Sequence, residues 1–279
     1  MTKYLIDLFC GAGGFSEGAK QAGYKVVIAI DMWEEALKVH KLNHPYTIHL
    51  QIELGNNLQA TWNIISKYLP ILKKNDIIHI HGSPPCQNLS SMNKLKDEKK
   101  GLELTYWTLD FFRFCLNKGH INSFTIEQVS NPHLKKYLLE KNKDIFFNVY
   151  DMSNYGVPQS RQRIIVSSTQ LNLPLKKPKS LDKIINTSKG EMYLINSGCN
   201  YKVYRNIFEN ISSYTITCIP HILCNSKMKK IRVCTEKEMS AIQTFPKTYK
   251  FIGTLSEKRR MIANSVPPMF SNILLKTLF

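Results

Sequence analysis

The sequence predicts an α/β domain built on a mostly parallel sheet, with a smaller second lobe inserted ahead of the C-terminal segment. Short, continuously apolar runs alternate with helix-period segments up to about residue 168, the pattern of strands covered on both faces by their connecting helices. A glycine-rich turn follows the first apolar run directly, as it does where a strand feeds a ligand-binding helix N-terminus. From about 173 the text becomes polar and irregular, and helical periodicity returns near 232. The expected boundaries are 1–172 for the main domain, 173–231 for the small lobe and 232–279 for a segment that returns to the main domain.

Taken in order, strands are expected over 4–9, 25–30, 77–81, 124–127 and 163–167, and helices over 15–22, 34–42 and 106–116. After the first strand, Gly11, Gly13 and Gly14 permit a tight turn and close backbone approach to a ligand. A dinucleotide fingerprint would place a third glycine where Ser16 stands, which weighs against NAD. Asp31, at the end of the second strand, can accept hydrogen bonds from a ribose, so a nucleoside-type cofactor is expected.

Gly82-Ser83-Pro84-Pro85-Cys86-Gln87 follows the strand ending at His81. The two prolines stiffen the backbone just past a strand's carboxyl end, where open α/β sheets place their active sites, which makes Cys86 a candidate nucleophile. His79 and His81 alternate on that strand and are read as packing or polar support. Glu127 ends another strand on the same rim, where an apolar surround would raise its pKa and let it share a proton with a ring nitrogen. In Gln159-Ser160-Arg161-Gln162-Arg163, the arginines alternate on one side of a strand.

In the second lobe the basic run Lys176, Lys177 and Lys179 precedes Tyr201, Tyr204, Arg205 and Asn206. Thr235 and Glu238 form a capping-box pattern for a helix ended by Pro246. A second helix begins near Ser256, and the turn at Asn264-Ser265-Val266-Pro267-Pro268 precedes a final apolar helix.

Composition agrees with a polyanionic partner. Lysine and arginine exceed acidic residues by 38 to 21, a formal charge of +17, although a genome of low GC content also enriches lysine. Seven cysteines, odd in number and scattered, suggest reduced thiols rather than a disulfide framework. Cys218, His221, Cys224 and Cys234 lack the spacing of paired zinc knuckles, so no metal is expected. Lys3 and Asp7 interrupt the first apolar run, which argues against a signal peptide or membrane span and for a cytoplasmic protein.

In their order and spacing these blocks resemble the cytosine-C5 DNA methyltransferase family of the bacterial and phage restriction-modification type, over nearly the whole chain apart from about 173–210. Asp7-Leu8-Phe9-Cys10-Gly11-Ala12-Gly13-Gly14 matches its cofactor loop, Pro84-Pro85-Cys86-Gln87 its catalytic loop and Gln159 to Arg163 its Gln-x-Arg-x-Arg motif. Glu127-Gln128-Val129 resembles its Glu-Asn-Val motif. Thr235-Glu236-Lys237-Glu238 through Gln243-Thr244-Phe245-Pro246 is similar to the segment after its recognition region, and Asn264 to Pro268 matches its last motif. Gln128, Gln51 and Ala263 stand where the family usually carries Asn, Asp and Gly.

The resemblance implies a Rossmann-like sheet that uses S-adenosyl-L-methionine, with a small target-recognition lobe. Double-stranded DNA is the implied substrate, methylated at carbon 5 of a flipped-out cytosine in a short target, with Lys176, Lys177 and Lys179 meeting phosphates and Arg205 and Asn206 reaching base edges. Cys86 would add to C6, Glu127 would stabilise protonated N3, Arg163 would hold O2, and Arg161 would support the loop or a phosphate. Phe9 would pack on the adenosyl group, Gly11 and Gly14 would admit the methionine end, Asp31 would bind the ribose, and Asn264 and Ser265 would close the site. Ala12, Met32, Gln51, Ile52 and Pro84 belong to the same implied cofactor site. A monomer is expected, and the sequence does not reveal whether a separately acting cognate restriction endonuclease is paired with it. A tRNA-directed branch shares the catalytic motifs, but its Cys-Phe-Thr signature is not seen in the second lobe. A non-catalytic DNA-binding subunit would not require Cys86, Glu127 and Arg163 together.

Overall fold

The computed structural model describes the chain except for residues 86–97, 142–143, 188–189, 196–203 and 210–211. The first apolar run forms β1 (Lys3–Leu8), which turns through the glycines into α1 (Gly14–Gln21). Next come β2 (Lys25–Asp31), α2 (Glu34–Asn43), β3 (Ile48–Gln51) and α3 (Leu58–Ser66). β4 (Ile77–Gly82), α4 (Glu98–Asn117), β5 (Ser123–Val129), α5 (Pro132–Lys141), β6 (Phe146–Asp151) and β7 (Gln162–Ser167) complete a seven-stranded sheet.

The strand order is β3-β2-β1-β4-β5-β7-β6. Neighbours from β3 to β5 pair in parallel, whereas β7 runs antiparallel between β5 and β6. Alternate residues of the strands feed two cores. Ile6, Leu8, Ile28, Ile30 and Ile80 pack with Trp62, Phe111 and Phe112 on one face. Leu5, Phe15, Ile165 and Phe270 pack on the other. Burial on both faces explains why the strands read as continuous apolar runs.

All five expected strands and all three expected helices are present, and α4 begins at Glu98, well before the expected 106. Four further elements join them. β3 is a short edge strand with Ile48 exposed, and β6 is the opposite edge. α3 is capped by Asn57, whose side chain accepts from Ala60 N at 3.0 Å, and Asn131 caps α5 ahead of Pro132.

The irregular text of the second lobe is a four-stranded antiparallel sheet ordered β11-β10-β8-β9, with β8 (Tyr193–Ile195), β9 (Tyr204–Asn206), β10 (Ile222–Cys224) and β11 (Lys230–Val233). Strands of three or four residues are too short to reveal a period of two. Their apolar side chains, Leu194 and Leu223 among them, share one core with α6 (Glu236–Ile242) and α7 (Leu255–Asn264). α8 (Pro268–Lys276) then packs against α1, so closely that a Cβ on Gly18 would lie 2.4 Å from Pro268 O.

Thr235 and Glu238 make the expected capping box, and Thr254 and Glu257 make a second one. α6 ends at Ile242, ahead of Pro246: Thr244 adopts a left-handed φ of 70°, and this turn, not the proline, stops the helix. No helix among the described residues is long and apolar enough to cross a membrane.

Arg232 on β11 fastens the lobe to α6. Its Nε donates to Glu191 at 2.7 Å, and its two terminal nitrogens grip Glu238 at 2.7 and 2.8 Å. Both carboxylates are buried, so removing the cation leaves two uncompensated charges. Arg232→Ala is expected to cost about 3–5 kcal/mol in urea unfolding, and a loss below about 1 kcal/mol would show the pair to behave as a surface bridge.

Candidate active site

The carboxyl ends of β1, β2, β4 and β5 converge on one cavity of about 670 Å³. Phe9 leaves β1 with a left-handed φ of 55°, uncommon for a residue with a side chain, and lines the cavity. Gly11 follows at φ 51°, and a Cβ there would meet nothing within 4 Å, so the backbone is bare toward the open space. Its N–H donates to Asp31 Oδ2 at 2.7 Å, while Trp33 N donates to Oδ1 at 2.8 Å. Burial pushes the Asp31 carboxyl up, against these backbone donors and the nearby Arg260.

Ala12, Met32, Ile52, Pro84, Asn264 and Ser265 share the lining with them. Two expected site residues lie elsewhere. Gly14 does not face the cavity: a Cβ there would lie 2.3 Å from Val266 O, so glycine is required for α1 to approach the 264–266 turn. Gln51 is exposed at the end of β3, paired with Asp31 in the ladder, and its successor Ile52 reaches the wall instead.

Glu127, Arg161 and Arg163 line the same cavity. Glu127 does not sit in an apolar surround. Its Oε1 lies 2.9 Å from Arg163 Nε, with both side chains largely buried. Adjacent strands explain the pairing, since β5 and β7 set Glu127 opposite Ile165 and Val129 opposite Arg163. Arg161, just ahead of β7, donates to the carbonyls of Ala263 at 3.1 Å and Ser265 at 3.3 Å, which is loop support.

Ser83, Pro84 and Pro85 line the cavity where the chain reaches position 86. Cys86 itself lies outside the described residues. Gln128 is buried and donates to Pro84 O at 3.2 Å and Thr105 Oγ1 at 3.0 Å, while its own oxygen accepts from Val129 N. The longer amide thus ties the strand bearing Glu127 to the loop bearing the prolines. Cys10 also lines the cavity, but burial, with Asp31 and Asp7 nearby, holds its thiol well above the usual range, leaving it a poor nucleophile.

Sequence reasoning missed Trp33 and Arg260. The Arg260 guanidinium lies 4.4 Å over the Trp33 ring, and both line the cavity. Trp33 follows Asp31 by two residues and Arg260 precedes Asn264 by one helical turn, so proximity to the named residues was the available signal. His79 and His81 act as polar support: His79 bonds Ser123 and Thr125, His81 bonds Thr125, and His81 stacks on Phe15 at 3.3 Å. Arg205 donates to Ser212 in the lobe and to Ser160 ahead of β7 and covers Tyr214, and Asn206 accepts from Phe208 N. Lys176, Lys177 and Lys179 are exposed.

Beneath the glycine turn, Asp7 is fully buried and accepts from Ser16 Oγ at 2.6 Å, with no partner at Oδ1. Burial is the main cause that pushes its carboxyl up to about 7. The folded chain therefore keeps a proton that the unfolded chain releases near pH ~4. This contribution to stability is complete below that pH and is lost as pH rises through about 7. Asp7→Asn should flatten that slope, with a gain on the order of 2–4 kcal/mol at pH ~8 that shrinks toward pH ~5. Equal gains by urea unfolding at both pH values would contradict the buried-acid account.

The sequence profile of the C-5 cytosine-specific DNA methylase family matches residues 4–215 and 196–279. The chain is 31% identical to the type II methyltransferase M.HindV of Haemophilus influenzae, covering 94% of this chain and 91% of the relative. It is 33% identical to M.HgiDI of Herpetosiphon aurantiacus, covering 94% and 89%. In fold it is similar to a DNA modification methyltransferase encoded within an E. coli prophage, with a TM-score of 0.69, 21% identity and coverage of 99% and 98%. A Spodoptera frugiperda DNMT2 variant gives 0.68 at 21% identity, covering both chains fully.

Proposed function

Because the chain belongs to the C-5 cytosine-specific DNA methylase family and is a DNA (cytosine-5-)-methyltransferase, we propose that it acts on a cytosine flipped out of a short duplex target, through a covalent bond between Cys86 and C6. The observation that carries this reading is the single cavity that joins Phe9, Gly11 and Asp31 to Glu127 and Arg163. Its volume falls within the range of about 300–1,000 Å³ typical of small-molecule sites.

The residues fit S-adenosyl-L-methionine. Phe9 offers a ring for the adenosyl group and Asp31 a carboxylate for the ribose, while the bare backbone at Gly11 leaves room beside them. Ala12, Met32, Ile52, Pro84, Asn264 and Ser265 enclose it. The bound cofactor supplies a sulfonium methyl. The chain's own groups prepare the base: the Cys86 thiolate adds at C6, Glu127 stabilises the proton on N3, and carbon 5 gains the electron density it lacks in free cytosine. Once C5 carries the methyl, its proton passes to solvent water and the electron pair left behind restores the C5–C6 double bond and expels Cys86 as thiolate. Arg163, paired with Glu127, holds O2 of the ring. The target base has to leave the duplex in this reading, since a stacked cytosine cannot reach a cavity at the strand ends.

The exposed Lys176, Lys177 and Lys179 suit phosphates, and the small lobe suits a target of about four base pairs. Two measurements test the reading. Bisulfite sequencing of DNA from cells expressing the protein should reveal methylated cytosines in one short motif, and an unmethylated genome would overturn the DNA-directed reaction. Calorimetry should give binding of S-adenosylhomocysteine and none of NAD, and the reverse would overturn the cofactor.

A further inference from the structure

We propose that residues 159–163 link the second lobe to the cofactor wall, with Gln159 and Gln243 as positioning residues through which bound DNA sets cofactor affinity. This inference rests on the reading of the cavity as a site for S-adenosylmethionine and goes beyond it by adding a coupling between two ligands.

The link has three attachments. On the lobe side, Gln159 Oε1 accepts from Ile216 N at 3.0 Å, Ser160 N donates to Ser213 O at 2.9 Å, and Thr215 Oγ1 donates to Ser160 O. Arg205 adds a donor to Ser160 Oγ at 3.2 Å. On the cofactor side, Gln159 Nε2 donates to Gln243 Oε1, and Gln243 Nε2 donates to Ser265 O. Arg161 grips the carbonyls of Ala263 and Ser265 in the same turn. Arg163, four residues after Gln159, meets Glu127 at 2.9 Å.

The direction of the amide chain is fixed by its ends. Ile216 N–H can only donate and Ser265 C=O can only accept, so neither glutamine can flip without opposing donor to donor. Both amides are fully buried, and separating them would strand polar groups away from water. Segment 213–216 and turn 263–265 therefore move as one piece. Ser265 lines the cavity, so any displacement of the lobe by DNA reaches the cofactor, and linkage requires the reverse as well. Were the glutamines mere packing, their loss would lower stability and leave the ratio of the two cofactor affinities unchanged.

The test compares S-adenosylhomocysteine affinity by calorimetry without DNA and with a saturating plasmid fragment that the wild-type enzyme methylates. Wild-type protein is expected to bind at least about fivefold tighter with the fragment, the lower end of allosteric coupling. Gln243→Met, similar in length but unable to bridge, should bring the ratio below about twofold. Thr215→Val removes one half-buried lobe-side bond and should reduce the ratio while leaving affinity without DNA unchanged, and it decides the matter if Gln243→Met does not fold. A wild-type ratio near one, or the wild-type ratio in every folded variant, overturns the coupling. Absence of binding in both conditions overturns the cofactor site itself and the coupling with it.

Discussion

Cys86→Ala should leave no measurable methylation, a loss of about 10⁴-fold or more, while binding of DNA and S-adenosylhomocysteine changes little. The size of the effect follows from the chemistry. Without a nucleophile at C6, carbon 5 of cytosine has too little electron density to react, and no cysteine among the described residues of the cavity is a ready thiolate. Cys10 is the one described cysteine lining the cavity, and burial keeps its thiol protonated. Cys115 and Cys234 are likewise pushed up to about 12 by burial, far from the thiolate form at neutral pH. Ground-state binding is spared because a thiol contributes little until the covalent bond forms. Single-turnover transfer of labelled methyl to duplex DNA measures the loss, and methylation that survives the substitution would remove Cys86 from the mechanism.

Glu127→Gln is the second large effect, expected to lower the single-turnover rate by roughly 10²–10⁴-fold, the range for a positioned proton donor. The amide keeps the shape but cannot deliver the proton to N3. It also exchanges the 2.9 Å ion pair with Arg163 for a neutral contact, so part of the loss comes through a less firmly held guanidinium. Arg163→Lys separates the two contributions, because it retains the charge near Glu127 but loses the planar fork. DNA affinity should change far less than the rate in both variants. A rate for Glu127→Gln within about threefold of wild type would assign the acid role elsewhere.

The parallel half of the sheet was legible because burial on both faces makes its strands continuous apolar runs, as in 77–81 and 124–127. Its edges were not, since β3 and β6 carry exposed residues and short apolar stretches. The lobe sheet escaped notice because strands such as Tyr193–Ile195 and Tyr204–Asn206 are too short for periodicity to register. Site residues that belong to contiguous motifs were readable, and the cavity gathers Phe9, Asp31, Glu127, Arg161 and Arg163. Residues whose role depends on a distant partner were not. Gly14 is a glycine because of Val266, more than 250 positions away. Arg205 is committed to Ser212 and Ser160, and Gln128 reaches back to Pro84. Each depends on a contact that exists only once the chain has folded.

The most direct measurement of the central claim uses a duplex with 5-fluorocytosine at the target position, incubated with S-adenosylmethionine and then denatured. Fluorine cannot leave C5 as a cation, so elimination stalls and the nucleophile stays bonded to C6. The account predicts a denaturation-stable protein–DNA adduct whose mass maps to the peptide containing Cys86. An adduct mapped to Cys10, or none from an enzyme that methylates the unmodified duplex, would contradict it.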